Sequence, residues 1–409
     1  MPTIALEHRG RVSLALLPPL ALYVHIPWCV RKCPYCDFNS HERSGELPER
    51  EYVQKLFADL EAMLPSVWGR RLVSVFIGGG TPSLFSPSAI DELLAGVRAR
   101  MPLEPHAEIT LEANPGTVEA ARFRGYREAG VNRISLGVQS FDDAMLTALG
   151  RIHSAAEARR GVEAALASFD NVNLDLMYGL PGQSVEMARA DVAAGIACGV
   201  PHLSAYQLTI EPNTVFYSRP PTLPEHDDCA DMQLAVEEIL AAAGYQHYET
   251  SAFARPGHRC KHNLNYWEFG DYLGIGAGAH GKVSFPDRLT RHERIKAPRD
   301  YLGAASTLAR EGTIAPGELP FEFMLNALRL VDGFPVALFQ ERTGLPLGAV
   351  QRQLAEAEAK GLIERDLRRV KPTERGRLFL NELLALFVSD GSKDRGSSAP
   401  IAGPVTRTS

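Results

Sequence analysis

Three cysteines lie close together near the start of the chain, at Cys29, Cys33 and Cys36. Their spacing, C-x3-C-x2-C, brings three thiols to one metal centre and offers no fourth cysteine nearby. A structural zinc ion takes four protein ligands, whereas a four-iron cluster held by three thiolates leaves one iron open for a small molecule. The spacing therefore favours a [4Fe-4S] cluster that takes part in chemistry.

Two simpler interpretations of these cysteines remain open. A zinc ion could take His25 or His41 as its fourth ligand, or the thiols could be core residues or a disulfide with one spare cysteine. The apolar run that ends in His-Ile-Pro just before Cys29 is typical of a strand that leads into a loop. Loops that follow strands commonly carry the active sites of α/β proteins, which favours the cluster.

Composition limits the class of protein. The chain has 409 residues, of which 45% are hydrophobic, so it can form one large α/β unit with an accessory domain. The formal charge of -6 gives no general attraction to nucleic acid or to an anionic membrane. The other cysteines, Cys198, Cys229 and Cys260, are scattered and do not form a disulfide framework. We therefore expect a reducing, cytoplasmic compartment.

The apolar run at Leu14–Leu22 resembles a signal peptide, but Pro18 and Pro19 interrupt it and no convincing cleavage site follows. We interpret Ala21–Ile26 as the first core strand instead. No stretch of about 20 uninterrupted apolar residues exists, so we expect no transmembrane segment.

From residue 20 to about 210, short β-rich runs alternate with amphipathic helical segments. This alternation predicts a parallel sheet, curved or closed like a barrel, with ligand groups at the carboxyl ends of its strands. The predicted strands are Leu22–Ile26, Leu72–Ile77, Glu108–Glu112, Arg133–Val138, Val172–Met177 and His202–Leu208. The predicted helices between them are Glu49–Met63, Pro87–Arg100, Val118–Ala129, Ala155–Ser168 and Ser184–Cys198.

The pattern changes after Pro220. A helix at Glu225–Ala243 and a strand at Tyr245–Phe253 precede an α-rich segment, in which a helix at Ala349–Lys360 and a hairpin at Leu362–Lys371 are typical of a winged helix. The predicted division is a lead (1–19), a barrel core (20–220), a barrel extension (221–315), a winged-helix-like domain (316–388) and a disordered tail (389–409).

Polar residues follow the predicted barrel strands one after another. Each has an ordinary structural explanation when taken alone, but their joint placement beside the cysteine motif indicates a site for a polar, charged organic ligand. They are Gly78–Gly80 with Thr81 after the second strand, Glu112 after the third, Gln139 after the fourth with Arg151 beyond it, and Asp175 after the fifth.

These motifs together resemble the radical S-adenosylmethionine (SAM) superfamily, in its coproporphyrinogen III oxidase-like branch. The resemblance covers roughly residues 20 to 385 and implies an α/β fold: a partial (β/α)6 TIM-like barrel with added strands and an α-rich, winged-helix-like C-terminal domain. It implies a [4Fe-4S] cluster on Cys29, Cys33 and Cys36 whose open iron binds SAM. It also implies that SAM is surrounded by Tyr23, Tyr35, Gly79, Gly80, Thr81, Glu112, Gln139, Arg151 and Asp175.

Two features indicate the group within this branch. Oxygen-independent coproporphyrinogen dehydrogenases carry a further cysteine two residues after the third, where this chain has Phe38. The segment from His262 to Trp267 matches the H-N-x-x-Y-W motif of the HemW-type heme chaperones. This motif makes His262 a candidate heme ligand, with His258, His280 and Cys260 as substitutes. The alternative is that the motif only packs against the barrel.

The resemblance implies a heme chaperone that binds heme and transfers it to client proteins such as membrane respiratory enzymes. It also implies a cytoplasmic protein that reaches the membrane peripherally, through its clients. Turnover of SAM, catalysis and a homodimer are left open.

The alternative function is oxidative decarboxylation of coproporphyrinogen III by a 5′-deoxyadenosyl radical. A third hypothesis is that basic residues between Arg365 and Arg377 contact nucleic acid, but such residues more often form a solvated face, so no nucleic-acid partner is expected.

Overall fold

The structure is a computed structural model that describes residues 12–115 and 120–388. The predicted disordered tail and the first part of the predicted lead, residues 1–11, lie outside the described residues. The start of the helix predicted at Val118–Ala129 also lies outside them, and the helix is described from Ala120.

The strands, in chain order, are β1 (Leu20–Ile26), β2 (Trp28–Cys29), β3 (His41–Glu42), β4 (Leu72–Gly79), β5 (Leu103–Ala113), β6 (Arg133–Gln139), β7 (Val172–Tyr178), β8 (His202–Gln207), β9 (Gln246–Glu249), β10 (Ala252–Ala254), β11 (Asp271–Ile275), β12 (His280–Phe285), β13 (Arg288–Arg294), β14 (Leu308–Thr313), β15 (Phe334–Pro335), β16 (Ile363–Arg365) and β17 (Arg369–Pro372). The α-helices are α1 (Glu49–Met63), α2 (Pro87–Arg100), α3 (Ala120–Ala129), α4 (Asp143–Ala148), α5 (Ala155–Leu166), α6 (Val185–Ala197), α7 (Val215–Ser218), α8 (His226–Ala242), α9 (Lys261–Trp267), α10 (Pro298–Gly303), α11 (Leu319–Ala327), α12 (Val336–Thr343), α13 (Gln351–Ala359), α14 (Glu374–Leu378) and α15 (Leu380–Ala385).

The core sheet confirms the predicted order of parallel strands. Strands β1, β4, β5, β6, β7 and β8 lie side by side in that order, and each pairs in parallel with the next. Strand β11 adds in parallel beyond β1 and leads to antiparallel β12, β13 and β14, while β10 and β9 add beyond β8. The sheet therefore has the fold class that we predicted, an α/β partial barrel with added strands.

Helices cover the outside of this sheet through the apolar faces that the sequence predicts. In α5 the buried residues Ala158, Gly161, Val162 and Ala165 follow the i, i+3, i+4, i+7 spacing of one helix face. A capping box begins α5, in which the Ser154 side chain accepts the Glu157 N–H and the Glu157 carboxylate accepts the Ser154 N–H.

One strand prediction was wrong. The segment predicted as a single strand at Tyr245–Phe253 is divided into β9 and β10, which pair with each other in an antiparallel manner. The turn between them is fixed from outside, because the Thr250 N–H donates to the carbonyl of Arg329 and Glu249 bridges to Leu330. These long-range contacts turn the chain back on itself within a segment whose local sequence pattern predicts one continuous strand.

The C-terminal helices α11 to α15 and the small sheet of β15, β17 and β16 form a module with its own apolar core. Strands β16 and β17 are the predicted hairpin. Val12 and Leu14 from the N-terminal lead, with Phe269 and Leu289 from the barrel extension, complete this core. The predicted boundaries at residues 220 and 315 stay predictions.

In the described part of the chain, no helix is both long and apolar enough to cross a membrane.

Candidate functional site

A cavity of about 530 Å³ lies at the carboxyl ends of the barrel strands. Its size is within the range of ligand-binding pockets. The cavity brings together nine of the residues predicted for the site: Cys29, Cys33, Tyr35, Cys36, Gly79, Gly80, Thr81, Gln139 and Arg151. Four other predicted residues, Tyr23, Glu112, Asp175 and His262, do not line it.

The cysteines lie on a loop that is held at both ends. Strand β2, which contains Cys29, pairs with β3, and Lys32 donates from its Nζ to the carbonyls of Phe38 and Ser40. The side chain of Asn39 donates to the carbonyls of Ala277 and Lys296, on the barrel extension, at 2.9 and 2.8 Å. The loop therefore presents its three thiols from a fixed frame.

The thiols of the loop face a set of hydroxyl groups. Burial raises the pKa of Cys29 to about 11, and hydrogen bonds from Thr81 and Ser40 oppose that shift. Burial also raises the pKa of Cys36, whose Sγ lies 3.7 Å from the Ser40 Oγ. Metal binding would displace the thiol protons, and the two hydroxyls would then donate to the thiolates.

The histidines considered as zinc ligands are engaged elsewhere. His25 uses Nδ1 with the Tyr23 hydroxyl at 2.9 Å and Nε2 with the Asn39 carbonyl at 2.9 Å. His41 contacts the side-chain oxygen of Asn39 through Nε2 at 3.2 Å. Neither histidine lines the cavity. Among the described residues, no three His, Cys, Asp or Glu side chains form a group that could hold a single metal ion. That finding bears on the zinc interpretation, because a four-iron cluster is larger than one ion and its three thiolates stand further apart.

The glycines at the end of β4 are required by close packing of the chain. A Cβ on Gly79, whose φ is +122°, would lie 2.8 Å from the carbonyl oxygen of Ile26. A Cβ on Gly80 would lie 2.6 Å from the carbonyl oxygen of Trp28. Only glycine fits at either position, and the end of β4 can thus lie directly against the start of the cysteine loop.

Gln139 is the residue whose geometry indicates a ligand most directly. Its backbone has a φ of +68°, in the left-handed region that few residues other than glycine adopt. Its side chain is buried, and its Nε2 has no hydrogen-bond partner among the described residues. A buried amide without a partner is costly, so its presence on a strained residue that lines the cavity indicates a polar ligand there.

Arg151 and Asn114 also line the cavity, at its floor, by which we mean the part next to the ends of the barrel strands. The Arg151 guanidinium lies 3.5 Å from both the Cys33 Sγ and the Tyr35 hydroxyl, and it donates to the Gly137 carbonyl at 2.7 Å. It also donates to the side chain of Asn114, a residue that our sequence analysis missed. Asn114 stands two residues after Glu112 at the end of β5, so the rule that ligand groups follow strands could have found it.

Glu112 and Asp175 lie below the cavity, inside the barrel. Glu112 accepts the Gly79 N–H at 3.0 Å, and burial, with the nearby Asp175 charge, raises its pKa to about 8. Asp175 accepts from Ser135 at 2.9 Å and from Asn173 at 2.8 Å, and burial raises its pKa to about 7. Glu112 therefore supports the glycine segment, and Asp175 belongs to a polar layer of the barrel interior.

His262 lies on α9, a short helix that closes the amino-terminal end of the barrel. Its ring is fully buried, with Nδ1 2.8 Å from the Ser74 Oγ and Nε2 3.1 Å from the Tyr266 hydroxyl, and it stacks on Phe76. Burial lowers its pKa to about 3. Both ring nitrogens are occupied, so this geometry does not support His262 as a heme ligand, and that role stays a prediction. The substitutes His258, His280 and Cys260 do not line the cavity either.

Other lining residues could not be recognised from the sequence. They include Ser40 and His153, and a stretch of the C-terminal module from Arg377 to Glu382. Nothing in the local sequence places that stretch, some 340 residues from the cysteine loop, on the same cavity.

Comparisons with known proteins agree with this architecture. The chain matches the Radical SAM superfamily model over residues 23–193 and the HemN C-terminal domain model over residues 314–379. Its fold is similar to that of coproporphyrinogen III oxidase (HemN) from Escherichia coli, a radical SAM enzyme. The TM-score is 0.76 and the sequence identity is 22%, over 91% of this chain and 90% of the other. At that identity the likeness concerns the fold alone.

Similarity of sequence is much higher to two curated proteins. The chain is 53% identical to the heme chaperone HemW of Escherichia coli, over 91% of this chain and 99% of the relative. It is 51% identical to the heme chaperone HemW of Haemophilus influenzae, with the same coverage. This chain therefore belongs to the HemW family of the radical SAM superfamily.

Proposed function

We propose that this chain is a heme chaperone, which binds heme and transfers it to heme-requiring client proteins such as membrane respiratory enzymes. The observation that carries this proposal is the 53% identity to the Escherichia coli heme chaperone over nearly the full length of both chains. Phe38 supports it, because the coproporphyrinogen dehydrogenases, which this chain otherwise resembles, carry a cysteine at that position.

A [4Fe-4S] cluster on Cys29, Cys33 and Cys36 is part of the proposal. The three cysteines are free thiols, all three line one cavity, and two hydroxyl groups lie in hydrogen-bond range of their sulfurs. Thiolates are the protein ligands that such clusters take. The remaining cysteines are free thiols as well, and this supports a reducing compartment, the cytoplasm, as the proposed location.

SAM is the proposed organic ligand at the cavity floor. Gln139 offers an amide Nε2 that has no partner among the described residues, Arg151 offers a cation beside Cys33, and Gly79 and Gly80 line the same cavity. Tyr35 and Thr81 line the same floor. Tyr23, Glu112 and Asp175 act indirectly in this proposal, since they hold His25, the Gly79 N–H and the polar barrel interior in place.

A [4Fe-4S] cluster held by Cys29, Cys33 and Cys36 would supply the electron that reductive cleavage of the SAM sulfonium requires. The residues of this chain position the groups and exclude water. Arg151 is fixed by the Gly137 carbonyl and Asn114, so its charge stays directed at the floor of the cavity. The amide of Gln139 is held by a strained backbone, which leaves it little freedom to turn away from a ligand.

The test is an anaerobic heme titration of the protein after its cluster has been reconstituted with iron and sulfide. We expect a Soret band that saturates at one heme per chain. The matched controls are Cys36→Ala, which we expect to lose the iron of the cluster, and Cys198→Ala, which we expect to keep it because Cys198 lies at the end of α6, away from the cavity.

A parallel assay with coproporphyrinogen III, reductant and SAM addresses the alternative function. Formation of protoporphyrinogen by the cluster-loaded protein, without a Soret change in the titration, would overturn the proposal in favour of a decarboxylase.

A further inference from the structure

The cavity has an inner and an outer part that differ in burial and in origin. Cys29, Thr81 and Gln139, at the floor, are buried and belong to the barrel. The outer wall includes residues of the C-terminal module, and its apolar side chains remain open to solvent. Of these, Leu378 is 43% and Phe379 is 46% exposed, and Ile152, on the barrel side, is 51% exposed. The floor and the outer part therefore suit different ligands.

The exposure of Leu378 and Phe379 is not a consequence of a disordered chain end. They stand at the junction of α14 and α15, and the same segment buries Leu383 and Leu384 in the core of the module. Single exposed apolar residues are common on protein surfaces, but these two line one cavity together with Ile152. Apolar area that is kept in water at a cavity wall favours a flat apolar ligand.

Phe38 lines the same cavity from the cysteine loop and is half-buried. Two cations also line the cavity, Arg31 on the cysteine loop and Arg377 directly before Leu378, alongside the acidic residues Asp37, Glu211 and Glu382. The outer part of the cavity therefore combines aromatic and aliphatic surface with two guanidinium groups, and these suit a large ring that carries carboxylates.

We propose that heme binds in this outer part of the cavity. One face of its ring contacts Phe38 and Ile152 on the barrel, the other contacts Leu378 and Phe379 on the C-terminal module, and its propionates bind Arg31 and Arg377. This inference rests on the proposed function. It places heme away from α9, where both ring nitrogens of His262 already have hydrogen-bond partners. Heme in the outer part would keep one edge open to solvent, from which a client could take it.

The first experiment compares hemin affinity between wild type and the double variant Leu378→Ser with Phe379→Ser, measured by anaerobic Soret titration after cluster reconstitution. Both side chains are nearly half exposed and neither belongs to the apolar core of the module, so we expect the fold and the iron content to be kept. We expect hemin affinity to fall at least tenfold. The matched control is Leu367→Ser, at the turn of the hairpin in the same module, which is 97% exposed and does not line the cavity. We expect it to bind hemin within twofold of wild type.

A second experiment tests the propionate contacts without a change in the apolar wall. Wild type is expected to bind hemin at least tenfold more tightly than hemin dimethyl ester. In the variant Arg31→Ala with Arg377→Ala, we expect that preference to fall to within about twofold.

The outcomes separate this inference from the proposed function. If wild type binds no hemin, the proposed function fails. If wild type binds hemin and both variants bind it unchanged, the inference is overturned. If His262→Ala loses hemin while its unfolding curve stays that of wild type, the inference is also overturned, and the site at α9 replaces it.

Discussion

At the scale of single residues, two buried carboxyl groups inside the barrel make this protein sensitive to pH. Burial raises the pKa of Glu112 to about 8 and that of Asp175 to about 7. Both groups are neutral in the folded, ligand-free protein at pH values where the unfolded chain carries them as carboxylates. Between the ordinary carboxyl pKa and these raised values the folded state therefore holds more protons, and its stability falls as the pH rises.

The change Glu112→Gln tests this linkage. Glutamine keeps the shape and cannot ionise, so the free energy of unfolding should decrease less between pH 7 and pH 9 than in wild type. We expect a difference of about 1 kcal/mol or more in that decrease, since one pKa unit corresponds to about 1.4 kcal/mol. Urea unfolding of the ligand-free protein at several pH values measures it. Parallel curves for the two proteins would contradict the raised pKa.

A second prediction at this scale concerns Ser40. Its hydroxyl lies 3.7 Å from the Cys36 Sγ and also bonds to Cys29, and hydrogen bonds to ligand sulfurs raise the reduction potential of a cluster. Ser40→Ala should therefore lower the midpoint potential of the reconstituted cluster without loss of iron, as measured by a redox titration followed by EPR. The control is Ser44→Ala, which is exposed in the segment between β3 and α1. Equal potentials in all three proteins would exclude this role for Ser40.

The sequence allowed much of the residue-level prediction, for a physical reason. Cys29, Gly79, Gln139 and Arg151 meet at one cavity because the carboxyl ends of parallel strands lie at one edge of a sheet. The sequence did not reveal that Asp175 points into the barrel below that edge, because strand alternation gives the face of a residue and not its depth.

At the scale of elements, helix α9 closes the barrel through contacts of its first turn. Glu108 on β5 accepts the N–H groups of Lys261 and His262, at 3.2 and 3.1 Å, and the thiol of Cys260. The ring of His262 then fills the space beside Ser74 and Phe76. The sequence left both a ligand role and a packing role open, and the contacts favour packing.

His262→Ala should therefore destabilise the protein. It removes two buried hydrogen bonds and leaves a cavity under α9, a loss of roughly 2–4 kcal/mol in the free energy of unfolding. Urea unfolding measures this, with His258→Ala as control, because His258 lies half-buried in the loop before α9 and should cost less than about 1 kcal/mol. Equal stability of both variants would contradict the packing role.

The elements of the barrel were predictable because each carries its own local pattern. The division of the segment at Tyr245–Phe253 into β9 and β10 was not, since it depends on backbone contacts from Arg329 and Leu330. Such contacts between distant segments leave no periodic signal in either of them.

At the scale of the whole molecule, the C-terminal module forms part of the cavity wall while its own core holds it in position. Phe323 is fully buried at the centre of that core, in edge contacts with Phe269, Phe334 and Phe339. Phe269 comes from the barrel extension, so this cluster joins the module to the barrel. The sequence predicted a winged-helix-like module but gave no sign of where it docks.

Phe323→Ala should loosen this junction. The loss of a buried phenylalanine lowers the free energy of unfolding by roughly 3–5 kcal/mol, and it destabilises the module rather than the cysteine loop. We expect weaker hemin binding and earlier proteolysis within 316–388, with unchanged iron content after reconstitution. Loss of iron together with hemin would show that the module and the loop are not separable in this way.

Heme transfer to a client is the activity that defines a heme chaperone, and it can be measured directly. Wild-type protein with its cluster reconstituted is loaded with one equivalent of hemin and mixed anaerobically with an apo-heme protein whose Soret band differs. We expect the acceptor's Soret band to appear while that of the donor decreases in equal amount. A loaded protein that kept its hemin in the presence of the acceptor, or a protein that never bound hemin at all, would contradict the proposed chaperone function.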